Sequence, residues 1–133
     1  VELFYIDSLG ATPFLINRVD TEGNAEKVAL TAEGVFVACD DAGALYVPKD
    51  SFSSESVSYR FAEDLTVDHI SIKGSTACLT LGSKGIALYD VSDPTGPKEK
   101  GIFPVGYSYT SIFWGDKLLV CTREGIQIIT IEQ

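Results

Sequence analysis

A single histidine, His69, stands among 133 residues, so a catalytic base or a histidine-built metal site has almost nothing to draw on. Cations are scarce as well. Ten Lys and Arg face nineteen Asp and Glu, for a formal net charge of -9, the wrong sign for gripping phosphate backbones or anionic lipid. Nucleic acid is thereby excluded as the expected ligand, and a basic protein partner is favoured. No apolar run approaches the ~20 residues that a membrane-spanning helix needs, so no membrane insertion is expected.

Cysteine is sparse and irregular too. Cys39, Cys78 and Cys121 match no zinc or disulfide spacing and lie in apolar runs, so all three are expected to be small buried hydrophobes. An odd number of such thiols, with no N-X-S/T sequon, points to a reducing compartment, while a secreted or surface location stays open. Residues 1–20 have neither the basic start nor the apolar stretch of a signal peptide, and Val1 is no natural start, so an upstream segment is expected.

What is present is a repeat. The segments VFVACDDAGALYV (35–47), ACLTLGSKGIALY (77–89) and KLLVCTREGIQII (117–129) each read as apolar strand, polar turn, Gly and second apolar strand. Their glycines, Gly43, Gly85 and Gly125, fall 42 and 40 residues apart, and Cys39, Leu81 and Cys121 share one slot four residues earlier. Short strands repeating every 40–45 residues are the mark of β-propeller blades. The stretch 20–33, broken by Gly23 and Asn24, reads as strand, not helix.

The expected fold is therefore all-β: a propeller fragment of about three four-stranded antiparallel blades, with strands A to D running outward from the axis. Strand A is placed at 26–31, 66–72 and 108–114, and B at 35–40, 76–81 and 117–122. Strand C is placed at 1–7, 43–48, 85–91 and 125–131, and D at 14–19, 56–62 and 99–104. Residues 1–22 then supply the C and D strands of a preceding blade, 23–63 and 64–105 form whole blades, and 106–133 form a last blade without its outer strand. Three blades cannot close a ring, so the missing ones are expected from another chain, an upstream segment or a self-dimer.

Residues 85–101, GIALYDVSDPTGPKEKG, and the following 106–131 resemble the LVIVD-repeat propellers through Gly85, Asp90, Ser92, Asp93, Pro94, Pro97 and Gly101. Earlier copies are eroded: residues 3–14 keep Asp7, Ser8 and Pro13, and the 45–56 connection keeps Pro48 and Asp50. The resemblance implies a binding platform and carries no catalytic residue. Read physically, Asp93-Pro94 starts a turn and Pro97 restrains the edge strand after it, which makes the motif a corner between strands C and D.

For chemistry, the candidates are few. Asp68 and His69 sit on an inner strand beside the axis, where an enzyme reading would place its site. No G-x-S-x-G elbow accompanies them. GSKG (82–85) lacks the phosphate-loop spacing, and Asp40-Asp41 and Glu63-Asp64 lack calcium-loop spacing. No metal and no cofactor is expected.

Sorting charges by face is more informative. The B-to-C and D-to-A connections share one face, which gathers Asp20, Glu22, Glu26, Asp40, Asp41, Glu63, Asp64 and Glu124 against Lys84 and Arg123. The other face is nearly balanced, with Lys49, Lys73, Lys98 and Lys117 against Glu33, Asp50, Glu55, Asp93 and Asp116. Tyr107 and Tyr109 flank the last connector on the acidic face, whereas Phe113 and Trp114 are expected to pack between blades. The candidate binding residues are Asp40, Asp41, Glu63, Asp64, Tyr107 and Tyr109. The leading expectation is a non-catalytic scaffold for protein interactions; an enzyme near Asp68 and His69 and an extracellular adhesion propeller are the alternatives.

Overall fold

Valine, isoleucine, tyrosine and phenylalanine at alternate positions, punctuated by Gly, Asp and Pro, give short extended segments and little else. The computed structural model describes residues 1–6, 10, 12–52 and 57–132; Asp7, Ser8 and Glu55 lie outside these. The described residues form thirteen strands. They are β1 (Glu2–Tyr5), β2 (Phe14–Arg18), β3 (Lys27–Leu30), β4 (Gly34–Ala38), β5 (Ala44–Pro48), β6 (Tyr59–Phe61) and β7 (His69–Lys73). After these come β8 (Thr76–Thr80), β9 (Ile86–Asp90), β10 (Lys98–Phe103), β11 (Ser108–Trp114), β12 (Lys117–Thr122) and β13 (Gly125–Thr130). One 3-10 turn, Lys49–Phe52, follows Pro48.

Each strand pairs antiparallel with its sequence neighbour, giving four sheets in chain order: β1–β2, β3–β6, β7–β10 and β11–β13. The chain is thus all-β and antiparallel. The sheets stand side by side, and apolar side chains fill the three seams. Val19, Val37, Leu45, Val47 and Phe52 fill the first. Phe36, Tyr46, Phe61, Ile70, Leu79 and Tyr89 fill the second, and Cys78, Ile86, Leu118 and Val120 the third. β5 and β8 are buried on both faces, so they read as continuous apolar runs instead of alternating ones. The outer strand β10 carries Lys98, Glu99 and Lys100, charges that blunt an exposed sheet edge.

The four sheets do not close on themselves. Ile112, Trp114, Ile126 and Ile128 share the far face of the fourth sheet and are exposed. This corrects the expectation for Trp114. Successive strand residues point to opposite faces, so while Phe113 turns toward the third sheet, Trp114 falls on the bare side and is 73% exposed.

Cys121 is a second correction. Cys39 and Cys78 are buried, but Cys121 is exposed. In the hairpins, Cys39 bonds Gly43 and Leu81 bonds Gly85 across three intervening residues, whereas Thr122 pairs Gly125 across two. The shorter turn moves the shared slot to Thr122, and a shift of one residue reverses the face. Thr122 is therefore buried and Cys121 joins the bare side with Ile126. A thiol reagent applied to the native protein is expected to label Cys121 alone. Burial withholds Cys39 and pushes the Cys78 thiol up to about 11. Native labelling of Cys39 or Cys78 would contradict this packing.

The corner after β9 behaves as its residues require. Asp90 accepts a hydrogen bond from the Ser92 amide (2.9 Å). Asp93 accepts from the Thr95 amide (3.0 Å) and the Thr95 hydroxyl (2.7 Å). These bonds hold both carboxyls below the ordinary aspartate range, so both acids are engaged in the turn.

Candidate functional site

Two matching backbone bridges organise one end of the molecule. Asp40, at the start of the β4–β5 turn with φ of 54°, exchanges amide–carbonyl bonds of 3.0 and 2.9 Å with Val67. Gly82, at the start of the β8–β9 turn, forms an antiparallel bridge with Ser108, whose amide donates to the Gly82 carbonyl at 3.0 Å. Each turn is thereby stitched to the connector that enters the next sheet. Leu81 and Gly85 are further tied to Ser108, whose hydroxyl donates to the Gly85 carbonyl at 2.6 Å and accepts from the Leu81 amide at 3.2 Å.

This stitching sets Asp40 close to Asp68. Burial, then the charges of Asp40 and Glu26, holds the Asp68 carboxyl above its ordinary range. A carboxyl raised in the folded state favours the fold most below its unfolded value, and that contribution fades as pH rises through the folded value. Burial of Asp68 near like charges thus costs stability at neutral pH, and a cationic group approaching Asp68 would relieve that cost.

Across Gly82, Asp68 faces the ring of Tyr107. A Cβ built on Gly82 would lie 3.4 Å from both Asp68 Oδ2 and the Tyr107 hydroxyl end. The intervening cleft, of about 270 Å³, is lined by Thr66, Asp68, Leu81, Ser83, Lys84 and Tyr107 among others. Tyr107 and Tyr109 stand with ring centroids 5.3 Å apart, tilted by 48°. The Arg123 guanidinium sits 4.3 Å from the Tyr107 centroid, a cation–π arrangement, and its pKa is raised by hydrogen bonding and charge from Tyr109, then by Tyr107.

Of the six expected binding residues, the structure brings Tyr107 and Tyr109 together and sets Asp40 beside the cleft. Asp41 and Glu63 are exposed. Asp64 is exposed as well, and its charge also reaches Tyr89, whose phenol is pushed up to about 12 by burial, then Glu99, then Asp64. Sequence reasoning missed the role of Arg123, counted only as a charge against an acidic face. The available signal was its place in the last hairpin turn, directly after the residue that pairs with Ser108.

Asp68 and His69 are neighbours in the chain, but as successive extended residues they point to opposite sides. His69 Nδ1 is the one buried side-chain nitrogen or oxygen without a hydrogen-bond partner among the described residues. Burial, then Lys27, lowers its pKa. Among the described residues, no three His, Cys, Asp or Glu side chains converge as a metal site would require. No helix of the described residues is long and apolar enough to cross a membrane.

No family model matches the chain, and no curated protein does. Among solved structures, the crystal structure of the computationally designed Ika4 protein is similar. Its TM-score is 0.44 at 7% identity, over 85% of this chain and 94% of that one.

Proposed function

We propose that residues 1–133 are an open arc of a β-propeller of the LVIVD-repeat type, a non-catalytic module that binds a basic protein segment at the acidic and aromatic end. The observation that carries the reading is the meeting of Asp68 with Tyr107 across Gly82. It sets the Asp68 carboxylate against an exposed ring, the pairing of charge and amphipathic surface that recognition sites use. The serial, side-by-side sheets and the Asp90–Pro97 corner support the propeller and the family assignment. A lysine or arginine of the partner would enter beside Asp40 and Asp68, while Tyr109 offers exposed ring surface.

The two halves of the site are expected to separate kinetically. With a lysine- and arginine-rich peptide as probe, charge reversal of Asp40, Asp41, Glu63 and Asp64 lowers the association rate and flattens its salt dependence, because rim charges act over the ~8–10 Å that salt screens. Tyr107→Ala and Tyr109→Ala mainly raise the dissociation rate, as loss of a desolvated anchor does. Stopped-flow binding at several salt concentrations measures both. An affinity untouched by either set of changes would move the binding surface off this end of the molecule.

A further inference from the structure

The rings at the acidic end are mounted on fixed backbone. Tyr107 and Tyr109 flank Ser108, so strand alternation sends both side chains to one side, and the register of β11 against β12 slips between Ser108 and Thr110, at Tyr109. Ser108 is fully buried. The Tyr107 carbonyl accepts from the Arg123 amide at 2.9 Å, and the Tyr109 carbonyl accepts from the Thr80 hydroxyl at 3.2 Å. The rings themselves are left 37% and 47% exposed. Their backbone is held by the core while their faces stand in solvent.

Arg123 differs from the other arginines. Arg18 pairs with Glu2 and Arg60 with Glu22, whereas Arg123 enters none of the ion pairs among the described residues, although Glu124 follows it directly. Its guanidinium stands over the Tyr107 ring and is hydrogen-bonded to Tyr109. The turn that carries it does not need this side chain. The Thr122 hydroxyl donates to the Gly125 carbonyl at 3.0 Å and accepts from the Glu124 amide at 3.3 Å, and the bond to Tyr107 is made by the Arg123 backbone. Arg123 is exposed, and a cation–π contact at an exposed site is weak enough to open and close freely.

We propose that the Tyr107–Tyr109 pair docks an arginine side chain of the partner, and that Arg123 covers the pair in the free protein until that arginine displaces it. The inference rests on the reading of this end as a site for a basic segment and narrows that segment to one bearing arginine. Arg123 itself shows that the rings accept a guanidinium. Such a group lies flat on an aromatic face and keeps its forked donors free for an acceptor at the ring edge, which an ammonium does not. For the incoming arginine that acceptor is Asp68. Its Oδ2 and the Tyr107 hydroxyl end both lie 3.4 Å from the position a Gly82 Cβ would take, and Asp68 enters no ion pair among the described residues. The displaced Arg123 keeps its backbone bond to Tyr107, so the exchange leaves the turn in place. The cover also discriminates. A cation that reaches only the rings gains nothing over Arg123, while one that also reaches Asp68 gains a carboxylate contact that Arg123 lacks.

The test titrates the 133-residue chain with two dye-labelled glycine-spaced peptides, alike except that one carries arginine where the other carries lysine. The arginine peptide is expected to bind about fivefold tighter. Arg123→Gln removes the cover and is expected to tighten arginine-peptide binding about three- to sixfold, the factor by which a closed exposed cation–π contact hides the rings. In a Tyr107→Leu background the same change is expected to gain less than about twofold, because the cover then has no ring to rest on. A readout that needs no substitution is the NMR signal of the Arg123 Nε proton. The Tyr107 ring shifts it upfield in the free protein, and it is expected to return to its solvent position as the arginine peptide saturates. Equal binding of the two peptides would overturn the choice of arginine. Weaker binding by Arg123→Gln, a gain undiminished by Tyr107→Leu, or a proton still ring-shifted at saturation would overturn the displacement while the basic-segment reading stands. Binding of neither peptide, to the unaltered chain or to Arg123→Gln, would overturn that reading and this inference with it.

Discussion

Gly85→Ala is expected to destabilise the protein by about 3–5 kcal/mol, enough to exhaust much of the stability of a typical small domain. Two effects combine. Gly85 has φ of 88°, where a side chain costs roughly 1–2 kcal/mol. Its Cβ would also lie 2.1 Å from the Phe103 carbonyl oxygen and 2.9 Å from the Val105 nitrogen. These are backbone atoms at the end of the outer strand β10, so they cannot swing aside as a side-chain tip would. Gly43→Ala meets the same obstacle, with φ of 77° and the Ala62 carbonyl oxygen 2.3 Å away. Gly125→Ala should cost only about 1 kcal/mol, because Gly125 has φ of 131° but nothing within 4 Å of its would-be Cβ. Urea denaturation of the three variants measures the differences. A Gly85→Ala variant within 1 kcal/mol of Gly125→Ala would mean that outer-strand crowding is not the reason for the glycine.

That contrast explains what the repeated glycine could and could not reveal. Its spacing located the strands, because the backbone needs a residue without Cβ where an outer strand passes close by. Strand positions followed: the expected A strand at 108–114 and B strand at 117–122 coincide with β11 and β12. The expected 56–62 strand shrank to β6, Tyr59–Phe61. Pro48 ends β5, the Lys49–Phe52 turn follows, and the Ser51 hydroxyl then ties the chain to Val57 with a 2.7 Å bond to its carbonyl. Counting back from glycine misplaced Cys121, since a hairpin turn shorter by one residue reverses the face of everything beyond it. No composition or periodicity carries that information; it depends on how many residues close the turn.

The candidate site was legible as a charge sum and not as a geometry. Sorting connections by strand direction put Asp40, Asp41, Tyr107 and Tyr109 on one face, which requires only that strands alternate. Which carboxylates gather is a different matter. Asp68 lies on the connector that Asp40 bridges through Val67, and that long-range pairing brings the two acids together. Asp64, only four residues away, adds its charge instead to the surroundings of Tyr89, after burial and Glu99. Arg123 over Tyr107 depends on the same kind of tertiary register.

Phe36→Ala is expected to cost about 3–5 kcal/mol, the usual range for emptying a buried phenylalanine site. Phe36 is 2% exposed and stands 4.8 Å from the Tyr46 ring and 6.1 Å, edge-on, from Phe61. Phe61 in turn stands 5.4 Å from Tyr89 of the third sheet. The rings therefore run across the seam between the second and third sheets, and backbone hydrogen bonds cross that seam between Asp40 and Val67. Loosening the rings should weaken the bridge, so the amides of Asp40 and Val67 should exchange at least tenfold faster in Phe36→Ala, while those inside β12 change far less. A double-mutant cycle with Phe61→Ala should return about 0.5–1.5 kcal/mol of coupling, as edge-to-face aromatic pairs do. If the two amides keep their protection although the variant is destabilised overall, the connector is held by its own turn. The position of Asp68 beside Asp40 would then be independent of the core.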